Sequence, residues 1–164
     1  GEDAVADVFE ALQADLPSLG LQPYEISNYA KPGCESRHNS RYWERRPYLG
    51  LGPSAASQVG AWRWTESGVL PAWMEGRGAL ELTELDAAEA LAEIPLLGLR
   101  LHEGLDWGQL RIRAEQANLL PLVEAWEARF RTFAAQGLMC FEGDRLRLTP
   151  RGMLLSNGIF QVLL

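Results

Sequence analysis

Residues 121–150 constrain the fold of this chain more than any other stretch. Leu122, Val123, Trp126, Phe130 and Phe133 recur at the spacing of one helical face, which predicts a helix over 121–136 with a continuous apolar stripe. Gly137 follows as a natural C-terminal cap. LMCF, the turn EGD and the alternating RLRL then read as a short hairpin, after which Thr149 and Pro150 restart a helix as N-cap and first-turn residue. A stripe of this kind must be buried, and a hairpin this short must lie on something. The segment therefore predicts packed helices with a β-wing, the outline of a winged helix.

The rest of the chain is read against that unit. Val5, Val8, Phe9, Leu12 and Leu16 fall on one helical face ended by Pro17 and Gly20, and Pro23 to Ala30 is strand-like. Helix, turn and strand make one unit of an α/β layer, and its partner strands are expected upstream of Gly1. A short helix is predicted at about Asn39–Arg45, an apolar strand with a Gly, Pro, Ser and Ala loop at YLGLGPSAAS, and a strand or link at Gln58–Gly68. Further helices are predicted near 70–76, after a capping pair at Thr83 and Asp86, and over Asp106–Asn118. Pro95 is expected to kink or break the second of these.

Charge and cysteine content narrow the chemistry. The formal net charge is 15 − 22 = −7, which argues against a phosphate-backbone binder. Cys34 and Cys140 are the only cysteines, with no CxxC, so nothing points to an oxidising compartment, and a cytoplasmic address is expected. No apolar run approaches the roughly 20 residues that span a bilayer. No Ser, His and Asp set, catalytic carboxylate pair or Cys/His metal cluster stands out.

Three blocks carry a family resemblance: YEISNYAKPGCESRHNSRYWERRPYLGLGPSA (24–55), LLGLRLHEGLD (96–106) and LRLTPRGMLLSNGIFQVLL (146–164). The first is similar to the YEISNxAxPGxxSxHNxxYW signature of the heme-chaperone branch of the oxygen-independent coproporphyrinogen oxidase family. The other two resemble the C-terminal domain that family shares. The resemblance implies an α/β chain, or α+β as a fragment. Residues 1–62 would be the last elements of a partial (β/α) radical-SAM barrel, and 63–164 a mainly helical, winged-helix-like C-terminal domain. It also implies S-adenosyl-L-methionine and a 4Fe-4S cluster in the full-length protein only. The cluster motif CxxxCxxC is absent from this chain, so its ligands are expected upstream and this part alone is expected to be inactive in radical chemistry.

On the same resemblance, the cofactor-binding candidates are His38, Asn39, Tyr42, Trp43, Arg37, Arg41 and Ala30. His38 would be the axial ligand to heme iron, a role that suits a neutral imidazole. Asn39 would set the loop or bond the imidazole, and Tyr42 and Trp43 would stack on a macrocycle; the plainer alternative makes both aromatics the core face of a short helix. From Lys31 to Arg46, five basic residues face two glutamates, a local 5 − 2 = +3 in an acidic chain. Arg37 and Arg41 would be the forks for porphyrin carboxylates, or equally part of a solvated face. Ala30 would line the S-adenosylmethionine site. GPSAAS departs from the family's GPGAHS, so the histidine expected at Ala56 is missing.

Three activities follow. The first is heme binding and transfer to an acceptor protein, membrane-associated or not. The second is radical-SAM oxidative decarboxylation by an oxygen-independent coproporphyrinogen III oxidase, so whether the full protein is an enzyme stays open. The third, a winged-helix DNA binder over 84–164, is disfavoured by the acidic charge of that segment.

Overall fold

The computed structural model describes residues 2–76 and 81–163; the ends of the expected divisions, Gly1 and Leu164, lie outside the described residues. Its helices and strands follow the mixed α/β expectation. Helix α1 spans Glu2–Asp15, and a 3-10 turn at Leu16–Leu19 closes on Gly20 in the left-handed region, whose N–H bonds the Leu16 and Pro17 carbonyls. Of the expected apolar stripe, Phe9 packs on the core while Val5, Val8 and Leu12 stay exposed.

Residues 23–30 do not form a single strand. β1 (Gln22–Pro23) and β2 (Tyr29–Ala30) pair antiparallel around a turn closed by Glu25. The Glu25 carboxylate is buried and accepts from the Ser27 backbone N–H and the Asn28 side-chain amide. The turn joins the C-terminal half: Ile26 N–H donates to the Arg100 carbonyl and His102 N–H to that of Tyr24. A buried carboxylate thus folds the segment back on itself, and its backbone groups pair with residues 100–102.

Helix α2 covers Arg37–Trp43, beginning two residues earlier than expected because Ser36 is its N-cap, accepting from the Asn39 backbone N–H. A three-stranded antiparallel sheet follows, in which β4 (Trp62–Thr65) lies between β3 (Ala56–Val59) and β5 (Glu81–Glu84). Gln58–Gly68, read as a strand or a link, therefore holds the end of β3, a turn at residues 60–61 and all of β4. Tyr48 bridges to Gln58, while Leu49 and Leu51 remain exposed and outside any strand. A short helix α3 occupies Leu70–Met74.

Helix α4 (Ala87–Gly98) starts at Asp86, whose carboxylate accepts from the Ala88 and Glu89 N–H groups while Glu89 returns a bond to the Asp86 N–H. Thr83 takes no part in this cap; it lies in β5. Pro95 does not end the helix, which continues to Gly98 with Pro95 buried. Only one turn follows the proline, so a single lost backbone bond is tolerated. α5 (Trp107–Gln116) packs on α4 and on α6 (Leu120–Ala135), and α5 and α6 both pack on a sheet ordered β6 (Leu105–Asp106), β8 (Arg145–Leu148), β7 (Met139–Glu142). Thr149 caps α7 (Pro150–Leu154), which leads into α8 (Ser156–Phe160).

The core lies in this half. Val123, Trp126 and Phe130 from the α6 stripe are buried against Leu91, Leu110, Leu146, Leu148 and Ile159. Burying each such side chain contributes about 1.5–3 kcal/mol. Glu127 ties α5 to α6, accepting from Trp107 Nε1 and from the Arg111 and Arg131 guanidiniums.

Candidate functional site

Helix α2 and the turn before it gather most of the sequence-predicted residues. Gly33, at φ +81°, makes a left-handed turn in which the Cys34 N–H reaches the Lys31 carbonyl, and Glu35 accepts from the Gly33 N–H. This turn delivers Ser36 to its capping position and starts the helix. Arg37 and Arg41, one turn apart, are both exposed and form no ion pair among the described residues. His38 and Tyr42 are likewise one turn apart. The exposed imidazole stands edge-on to the Tyr42 ring with centroids 4.9 Å apart, and Tyr42 in turn meets Tyr48 at 4.5 Å. Tyr42 is half-buried between the His38 ring and Tyr48, which bridges to Gln58 of β3. Asn39 gives its backbone N–H to the Ser36 cap, and its side chain makes no hydrogen bond to His38.

Trp43 has other company. Its ring packs against the Arg100 guanidinium at 5.3 Å, and Arg100 also lies over Phe160 at 5.2 Å, so this arginine is held between α2 and α8. The Trp43 Nε1 is buried with no acceptor among the described residues. After the helix, Arg45 takes a left-handed conformation at φ +52° and its Nε donates to Glu93 on α4 at 2.9 Å; Arg63 on β4 donates to the same carboxylate. Ala30 sits in β2 opposite Gln22 and is half-buried.

Two clefts flank this region. One of about 380 Å³ lies between the end of α2, α4, β6, α5 and β8, with Trp43, Arg113 and Arg145 on its walls. The other, of about 350 Å³, lies between residues 23–24, α2 and residues 101–103, and includes Ser40 and His102. His38 lines neither of them. His102 is half-buried with an unpartnered Nδ1; burial lowers its pKa below the ordinary imidazole value, and the Arg147 charge adds to the effect. Cys34 is exposed, and Cys140 is half-buried in β7.

The donor set on α2 suits a heme: an exposed imidazole able to take iron, an aromatic edge beside it, and two unpaired guanidiniums for carboxylates. It does not suit an iron–sulfur cluster. Among the described residues no group of three His, Cys, Asp or Glu could hold a metal ion, and the chain has only two cysteines. Arg100, Glu93, Arg113 and Arg145 escaped the sequence reading. Only Arg100 carried a signal there, as part of the LLGLRL block.

The HemN C-terminal domain family model matches residues 85–155. Over 99% of its length the chain is 33% identical to a heme chaperone HemW of Mycobacterium tuberculosis, and over 96% it is 35% identical to a heme chaperone HemW of Synechocystis. A mitochondrial radical S-adenosyl methionine domain-containing protein 1 of Danio rerio is 25% identical over the whole chain. The chain spans 40% of the Mycobacterium relative and 43% of the Synechocystis one. Among solved structures, the radical SAM enzyme coproporphyrinogen III oxidase (HemN) from Escherichia coli superposes with a TM-score of 0.72 over 96% of this chain and 40% of that one. At 18% identity that likeness establishes the fold alone.

Proposed function

The chain belongs to the oxygen-independent coproporphyrinogen oxidase family as the C-terminal part of a HemW-like protein, and on that premise we propose that it binds heme at α2 and serves heme transfer to an acceptor protein. The observation that carries the proposal is the folding of RHNSRYW into one capped helix, which presents His38 beside Tyr42 and leaves Arg37 and Arg41 unpaired.

In this reading the His38 imidazole supplies the axial nitrogen. Ser36 and Asn39 fix the first turn of α2, which sets where that imidazole starts. Tyr42 limits its rotation from one side. Arg37 and Arg41 donate to the propionates as charge-assisted forks. When bound, the heme iron supplies the redox-active cargo centre, and no residue of this chain is assigned a catalytic step.

The proposal includes S-adenosyl-L-methionine and a 4Fe-4S cluster in the remaining part of such a protein, Ala30 toward the S-adenosylmethionine side, and a division into a barrel segment over 1–62 and a C-terminal domain over 63–164. A cytoplasmic address and the acceptor's identity, membrane-associated or not, belong to the same proposal; no helix among the described residues is long and apolar enough to cross a membrane. The HemN-like fold supports a second reading, oxidative decarboxylation of coproporphyrinogen by the whole protein. Anaerobic turnover with S-adenosylmethionine separates the two.

The test is a hemin titration of the protein followed at the Soret band. Heme binding that weakens in His38→Ala supports the assignment. An unchanged titration removes it.

A further inference from the structure

The 380 Å³ cleft beyond the end of α2 is lined by three arginines, Arg45, Arg113 and Arg145, and three carboxylates, Glu44, Glu103 and Asp106. Arg113 forms no ion pair among the described residues, and Arg145 has only a long bond, 3.4 Å, to the Glu103 carbonyl. Trp43 contributes its ring to the same wall. Most other charges there are already engaged: Arg45 with Glu93, Glu44 with Arg46, and Asp106 with the Gln109 N–H. Glu103 is the one lining carboxylate without a side-chain partner among the described residues. Between these groups the walls are apolar, formed by Ile94, Leu101, Leu105 and Leu110. Two arginines without a carboxylate partner beside an apolar surface suit a ligand that is an acceptor at one end and greasy at the other.

We propose that this cleft binds a small monocarboxylate with an apolar tail, its carboxylate held by Arg113 and Arg145 and its tail lying on the apolar wall. A medium-chain fatty acid and a single propionate arm of a porphyrin share that chemistry. The volume sits near the lower end of the roughly 300–1,000 Å³ typical of small-molecule sites, which favours one chain or arm over an enclosed macrocycle. The inference stands on the cleft and is independent of iron ligation by His38.

Calorimetric titration of the protein with decanoate tests it, with decanol as the probe lacking the charge. Decanoate binds at one site and decanol at least tenfold more weakly. Arg113→Gln, an exposed change that leaves the core untouched, weakens decanoate at least tenfold. Glu103→Gln tightens it by removing the opposing charge. His38→Ala leaves decanoate binding intact, so failure of the heme reading and failure of this one are separately visible. Displacement of decanoate by metal-free protoporphyrin IX identifies the propionate arm as the source, and lack of displacement identifies the free acid. Decanol binding as tightly as decanoate, Arg113→Gln binding like wild type, or no binding of decanoate overturns the proposal.

Discussion

The His38 imidazole meets the Tyr42 ring edge-on at 4.9 Å while Tyr42 rests at 4.5 Å against Tyr48, so the exposed histidine is braced through one tyrosine onto the residue that bridges to Gln58 of β3. Tyr42→Phe keeps both ring contacts and is expected to be near neutral. Tyr42→Ala removes both and is expected to cost about 1–3 kcal/mol, since each aromatic pair contributes about 0.5–1.5 kcal/mol beyond its buried area. Urea unfolding of the two variants reads the difference.

Glu93 receives Arg45 from the end of α2 and Arg63 from β4, and so fixes α2 to α4. Its carboxylate and Arg45 are both mostly shielded, at 15% and 17% side-chain exposure, whereas Arg63 is 40% exposed and contributes less. Glu93→Gln is expected to lower stability by about 1–2 kcal/mol, most of it lost with the Arg45 bond. A double-mutant cycle with Arg45→Gln should return a coupling of similar size. Additive effects would show that the pair holds nothing.

Glu127 gives the fold a pH-dependent tie. Burial pushes its pKa up, but hydrogen bonds from Trp107, Arg131 and Arg111 outweigh burial and hold the carboxyl below the ordinary carboxylate range. A depressed folded pKa stabilises above the unfolded value and is lost as pH falls through the folded one. Glu127→Gln is therefore expected to be less stable than wild type near neutral pH, with the gap closing as the pH falls below the carboxylate range. Denaturant midpoints of the two proteins across that range show whether the gap closes.

Arg37 and Arg41 carry the electrostatic part of the heme proposal. Replacing both with Gln is expected to weaken hemin binding about threefold to tenfold at low salt, with the difference shrinking as salt screens exposed charge. A hemin dimethyl ester should not distinguish the variant from wild type. Discrimination that survives esterification would assign the effect to packing.

The sequence made the C-terminal half readable because its signals are local. The stripe from Leu122 to Phe133, Gly137, the EGD turn and Thr149–Pro150 each act within a few residues, and each sits where its pattern placed it. The segment 23–30 misled because its partner is remote: Tyr24 and Ile26 bond residues 100–102, and the buried Glu25 that closes the turn has no periodic signature. At the site, the family resemblance singled out His38, Tyr42, Arg37 and Arg41, but a helix expected from Asn39 left Arg37 and His38 outside it, so the one-turn pairings came only with the Ser36 cap. Helical spacing could not show that Trp43 packs on Arg100 or lines a cleft with Arg113 and Arg145, because these contacts join elements more than fifty residues apart.

The central claim is that His38 of this chain is a heme iron ligand. Low-temperature electron paramagnetic resonance of the ferric-heme protein tests it most directly. The wild type is expected to show a signal of imidazole-ligated iron that disappears in His38→Ala while the protein remains folded. The same imidazole signature in both proteins would contradict the account.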